Sequence, residues 1–161
     1  MKVLFLDIDG VLNHECWYRD RFNKEIYPEG VPTYPLSEFY PESVKRLNKI
    51  LKETGAKIVL STSWRFDKDI DTILSVVGIN QTIYDKTPYC GHKYGSLCRG
   101  KEIKEYLNNH TEITNYAIVD DDSDMEPEQM NNFYQTSEYD GLNDKATDIL
   151  IGILNGENKK N

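Results

Sequence analysis

The stretch KVLFLDIDG, from Lys2 to Gly10, decides the fold. Val3 to Leu6 is an unbroken apolar run, which reads as a parallel strand buried on both faces and not as a strand with one wet side. The run ends on Asp7, and a second carboxylate follows at Asp9, ahead of Gly10. Two carboxylates two residues apart at a strand end repel unless a cation sits between them or one is protonated. The pair therefore reads as metal or acid/base chemistry, with a solvated turn, in which Asp and Gly serve conformation only, as its rival.

Working outward, the same grammar repeats. Pro41 opens a helical pattern with Val44, Leu47 and Leu51 on one face, closed by Gly55, and Lys57 to Leu60 is a second apolar strand followed by Ser61, Thr62 and Ser63. Asp67 to Val77 reads as helix, Ile83 and Tyr84 as a weak third strand, and Lys101 to Asn109 as helix. Tyr116 to Val119 is a further strand that again runs into aspartates, Phe133 to Thr136 suits a last one, and Asn143 caps a closing helix. Strands alternating with helices predict an α/β fold of Rossmann type, a central parallel sheet with helices on both faces.

Composition bounds the reading. The chain has 161 residues, 27 acidic against 19 basic, for a net charge of −8, which suits one domain with a real core. The domain is read as residues 1–154, with 13–40 as an extended flap and 155–161 as a polar tail. No run approaches the roughly 18 apolar residues of a membrane span, and the apolar start meets Asp7 too early for a signal-peptide core. Cys16, Cys90 and Cys98 form no CxxC pair and leave one thiol over, as in a reducing compartment, so a cytoplasmic location is expected. Their spacing with His14 and His92 matches no closed zinc motif. The acidity is local: ten acids stand against Lys145 alone between Asp120 and Asp148, while residues 1–119 are neutral, so an anionic substrate is not excluded elsewhere.

Three strand ends converge on one crevice in such a sheet: Asp7 and Asp9 from the first, Ser61 and Thr62 from the second, Asp120 and Asp121 from the later one. Carboxylates from two strands, with hydroxyls and a cation between them, suit a hard metal ion and a phosphoryl group together.

In its order of DxDG, Ser/Thr, Lys and late acidic pair the chain resembles the haloacid dehalogenase (HAD) superfamily, from Lys2 to about Leu154. The segments FLDIDGVLN, STSWR, RGKEI, IVDDD and the closing GLN are similar to the HAD domain of Swiss-army-knife RNA repair proteins. The resemblance implies a phosphatase in which Asp7 is the nucleophile, forming an aspartyl phosphate, and Asp9 is the acid/base. Thr62 then holds the phosphoryl group with Ser61 as alternate, Lys101 neutralises it, and Gly10 permits the turn. Mg²⁺ is expected on Asp7, Asp9 through its backbone carbonyl, and Asp121, with Asp120 beside it and Asp122 and Asp124 as solvated acids. Arg65 is a candidate second phosphate contact, with an ion pair to Asp67 or Asp69 as its rival.

The windows where this superfamily inserts lids hold no domain-sized cap. The open crevice favours a nucleotide or polynucleotide-end phosphate, with Trp17 and Tyr18 as stacking aromatics and Arg19, Arg21 and Lys24 as flap cations. Arg65, Lys93 and Arg99 are expected to make polynucleotide binding salt-dependent. A small-metabolite phosphatase and a non-catalytic phosphate-binding module are the alternatives. No membrane partner is expected, and the pattern does not indicate the oligomeric state.

Overall fold

A computed structural model describes residues 1–157 except 24, 26–28, 31, 96 and 97, so Lys24 and the end of the polar tail lie outside the described residues. Five parallel strands, β1 (Lys2–Leu6), β2 (Lys57–Leu60), β3 (Asp85–Lys86), β4 (Asn115–Asp120) and β5 (Phe133–Gln135), form one sheet in the order β3-β2-β1-β4-β5. The chain builds outward from β1 to β3 and then returns to lay β4 on the other side of β1. That reversal opens a crevice at the carboxyl ends of β1 and β4, where ligands sit in open sheets of this kind.

Alternation along the strands sorts two cores. Leu4, Leu6, Ile58, Leu60, Ala117 and Val119 point to the face covered by α2 (Pro41–Thr54), α3 (Ile70–Val76) and α6 (Asp144–Leu154). Val3, Phe5, Val59 and Ile118 point to the other, where α5 (Arg99–Asn109) supplies Ile103 and Tyr106. Strands flanked on both sides have no wet face, which is why the β1 sequence is continuously apolar. Pro41 stands in the first turn of α2, and the Asn143 side chain accepts the Ala146 N–H at 2.9 Å to start α6.

Boundaries move at α3, which starts at Ile70 and not at Asp67, at the third strand and at the fifth helix. The third strand forms at Asp85 and Lys86 and not at Ile83 and Tyr84, because pairing to Val59 and Leu60 sets it and an edge strand needs no apolar run. The fifth helix begins at Arg99, two residues before the expected Lys101, for a reason that lies in the crevice. Within the window 13–40 the chain forms α1 (Glu15–Asp20), capped by the His14 ring, and a 3₁₀ turn at Leu36–Glu38; a four-residue helix, α4 (Gly91–Tyr94), follows β3. No described helix is long and apolar enough to cross a membrane.

Leu150 on α6 is fully buried in the larger core, so Leu150→Ala should lose about 2–5 kcal/mol of stability by transfer and cavity terms together. Urea unfolding measures it; a loss below 1 kcal/mol would mean that α6 does not seal this face.

Candidate active site

Asp7 leaves the end of β1 and Asp120 the end of β4, on strands paired directly side by side. Asp7 is 5% exposed and Asp120 is 1% exposed, while Asp121 is half-buried beside them. One carboxylate oxygen from each lies within 4.8 Å of the other two. Two ionised carboxylates at that spacing repel by roughly 3 to 4 kcal/mol at an effective dielectric near 20. Burial, the largest cause, raises the pKa of all three above the ordinary carboxylate range. Mutual repulsion adds to it: Asp7 acts on Asp120, and Asp122 on Asp121.

Gly10 makes the third carboxylate possible. Its φ is +68°, and a Cβ built there would stand 2.3 Å from Asp121 Oδ2. The turn is tied to β5 as well, since the Thr136 hydroxyl donates to the Gly10 carbonyl at 2.8 Å.

A guanidinium enters this acidic pocket. Arg99 Nη1 donates to Asp120 Oδ2 at 3.0 Å and to Asp7 Oδ1 at 3.3 Å. Burial opposes its charge, but Asp120 and Asp7 outweigh that and hold Arg99 ionised. The first turn of α5 is pinned by Asp124, whose side chain accepts the Arg99 N–H at 2.9 Å and whose carbonyl accepts the Gly100 N–H at 3.1 Å. A Cβ on Gly100 would fall 2.5 Å from the Glu126 nitrogen, so only glycine lets the helix start this close to the acidic loop. Asp124 is thus a half-buried helix anchor and not a solvated acid.

Two cations stand at this helix start. Lys101 is exposed on α5, and the charge that meets Asp7 and Asp120 belongs to Arg99.

The hydroxyls differ in their partners. Thr62 is fully buried, its Oγ1 accepts the Trp64 N–H at 3.4 Å, and its nearness to Asp7 draws that carboxyl's pKa down. Ser61, 1% exposed, has a buried hydroxyl with no partner among the described residues. Asp9 stands exposed, outside the three-carboxylate group. Its Oδ1 accepts from Asn13 Nδ2 at 2.9 Å and its Oδ2 from Trp64 Nε1 at 3.0 Å. Neither Asn13 nor Trp64 was singled out as a functional residue from the sequence; a Trp immediately after a Ser/Thr motif was the available hint.

Two expected substrate contacts are turned elsewhere. Arg65 is 7% exposed; its Nη2 donates to both Glu102 oxygens at 2.9 and 2.8 Å and its Nη1 to the Thr62 carbonyl at 2.8 Å. It is therefore a buried structural cation, paired with Glu102 and not with Asp67 or Asp69. Glu102 also accepts the Cys90 N–H at 3.0 Å. Trp17, expected to stack on a base, is 4% exposed, packs on Tyr40 and donates its indole N–H to the Ser37 carbonyl at 3.1 Å. Tyr18 is half-buried under the Arg21 guanidinium with its hydroxyl on Glu38, while Arg19 pairs with Asp20.

A family model described as the HAD domain in Swiss Army Knife RNA repair proteins matches residues 3–147. Neither the curated proteins nor the solved structures gave a match.

Because the Arg65–Glu102 pair is buried, deleting one partner leaves a bare charge. Glu102→Leu should cost about 3–5 kcal/mol, while the double change Arg65→Met with Glu102→Leu should cost less than the sum of the two single losses. Chemical denaturation of the four proteins checks this, and additive losses would contradict the pairing.

Proposed function

The chain belongs to the family of HAD domains found in Swiss Army Knife RNA repair proteins, and from that premise we propose that it is a Mg²⁺-dependent phosphohydrolase working through an aspartyl phosphate. The proposed substrate is the phosphate of a nucleotide or of a polynucleotide end. The observation that carries the reading is the gathering of Asp7, Asp120 and Asp121 at the point where the sheet reverses, with Arg99 on its flank.

The donor set fits the metal. Oxygen-only ligands, excess negative charge and raised carboxyl pKa values mark a pocket in want of a hard cation. Asp7, Asp121 and the Asp9 backbone carbonyl would hold it, with Asp120 beside them. Bound there, Mg²⁺ supplies charge stabilisation to the phosphoryl oxygens and lets Asp7 stay ionised.

The protein groups then have distinct tasks. Asp7, with Thr62 beside it, attacks phosphorus in line with a carboxylate lone pair. As the Asp7 oxygen to phosphorus bond forms, the bond to the leaving oxygen breaks, and Asp9 delivers a proton to that oxygen. Asp9 next takes a proton from the water that hydrolyses the acyl phosphate, which restores Asp7. Lys101 offsets phosphoryl charge, and Arg99, at the start of the same helix, adds to it. The buried Ser61 hydroxyl, which has no partner among the described residues, is a phosphoryl donor alongside Thr62. Arg65 keeps the Thr62 carbonyl and α5 in register from behind and touches no substrate.

Turnover of a 3′-phosphorylated oligonucleotide, a mononucleotide and a sugar phosphate, each with Mg²⁺ and with EDTA, tests the reading. Activity should vanish in chelator and return with Mg²⁺, and Asp7→Asn should lower it by at least roughly a thousandfold with circular dichroism unchanged. Near-normal turnover by Asp7→Asn would remove the covalent mechanism. Preference for the sugar phosphate would replace the nucleotide reading with the small-metabolite one.

Metal binding is also readable without turnover. At a hundredfold excess over Kd, Mg²⁺ should add about 2.7 kcal/mol, roughly 5–10 °C in Tm for a chain this size, and Asp121→Asn should lose most of it. In the metal-free protein the raised carboxyls keep protons that the unfolded chain has released. Stability should therefore fall as pH climbs above the ordinary carboxylate range, and the gain from Mg²⁺ should be larger at pH 8 than at pH 5. A Tm that ignores Mg²⁺ at both pH values would contradict the site.

A further inference from the structure

Resting on the phosphohydrolase reading, we propose that Trp64 and Asn13 are positioning residues for Asp9, holding its carboxyl group in the orientation from which it delivers a proton to the leaving oxygen. Asp9 is exposed, and an exposed aspartate ordinarily samples several rotamers. Here each oxygen is held by its own donor, Oδ1 by the Asn13 amide at 2.9 Å and Oδ2 by the Trp64 indole at 3.0 Å.

Both donors are themselves fixed. Asn13 Oδ1 accepts the Gly10 N–H at 3.0 Å, so the amide cannot flip without losing that bond, and its nitrogen is directed at Asp9. The Trp64 ring meets Phe39 edge-on at 5.5 Å, and its main chain is bonded to Thr62, so the residue beside the nucleophile also places the indole. Both donors are neutral, so they grip the carboxylate without adding a cation to compete at the neighbouring carboxylates.

The chemical consequence is differential. In the first step the Asp7 oxygen bonds to phosphorus, the phosphorus to leaving-oxygen bond breaks, and the Asp9 proton passes to that oxygen. With both oxygens fixed, the carboxyl group meets the leaving oxygen without a rotamer search, and orientation of this kind raises the rate of the transfer step. It matters only where the leaving oxygen needs a proton: a ribose alkoxide does, whereas a nitrophenolate departs unaided.

The test compares kcat/KM for a nucleoside 3′-monophosphate and for 4-nitrophenyl phosphate in wild type, Trp64→Phe and Asn13→Asp. That ratio reports only steps up to leaving-group departure, so the later hydrolysis, common to both esters, does not blur it. Phe keeps the ring and Asp keeps the acceptor for Gly10. Each variant should lose on the order of tenfold to a hundredfold on the nucleotide and at least ten times less on the aryl ester. The indole N–H resonances give a readout that does not depend on turnover: Asp9→Ala should shift the signal missing from Trp64→Phe and leave that of Trp17 in place. If wild type hydrolyses neither ester, the phosphohydrolase reading falls and takes this inference with it. If wild type is active but the variants lose equally on both esters, or not at all, or if Asp9→Ala leaves the indole signal unmoved, the positioning role alone is wrong.

Discussion

Three carboxylates within 4.8 Å, two of them almost wholly buried, are the constraint around which the rest of the molecule is arranged. Left alone, such a group would push the ends of β1 and β4 apart or hold protons. The strands cannot separate, because Phe5 and Leu6 on one are in register with Ile118 and Val119 on the other in the middle of the sheet. Repulsion is met instead by placing one guanidinium against two of the acids, by removing a side chain at Gly10 so that the third can fold over the turn, and by drawing α5 in on Asp124.

A second polar layer lies behind the first. Glu102, one turn along α5 from Arg99, accepts with both oxygens from Arg65 Nη2, while Arg65 Nη1 donates to the carbonyl of Thr62. The 3₁₀ turn at Ser63–Phe66 and the start of α5 are thereby locked through the interior. A buried pair of this kind contributes little net stability compared with apolar packing, but removing either half is costly. Its use here is geometric: the hydroxyl on one side of the crevice and the cation on the other are held at a set separation.

How much was legible in the sequence depended on whether a residue's role was set by its neighbours in the chain or by the fold. The apolar run into Asp7, Pro41 and Gly55 around α2, and Asn143 before α6 are local signals, and each stands where it was read. The convergence of Asp7, Asp120 and Asp121 was also legible, because strand ends in a parallel sheet have few places to go. Arg65 and Trp17 found targets other than those read from the sequence for one reason: a long side chain reaches several ångströms, and its target is chosen by tertiary packing. Arg65 found Glu102, 37 residues on, where the sequence offered Asp67 and Asp69. Trp17 found the Ser37 carbonyl and the Tyr40 ring instead of open crevice. No period in the chain announces such pairings.

The sheet ends abruptly on both sides. β3 pairs over two residues, Asp85 and Lys86, and β5 over three, Phe133 to Gln135. A passing chain seeking to extend the sheet would find only a few free backbone groups at either margin, and on one side a charged pair that resists dehydration. A domain whose central strands are continuously apolar would otherwise be prone to stacking edge to edge during synthesis and refolding. Short borders thus let it keep a dry interior at high concentration without covering its flanks.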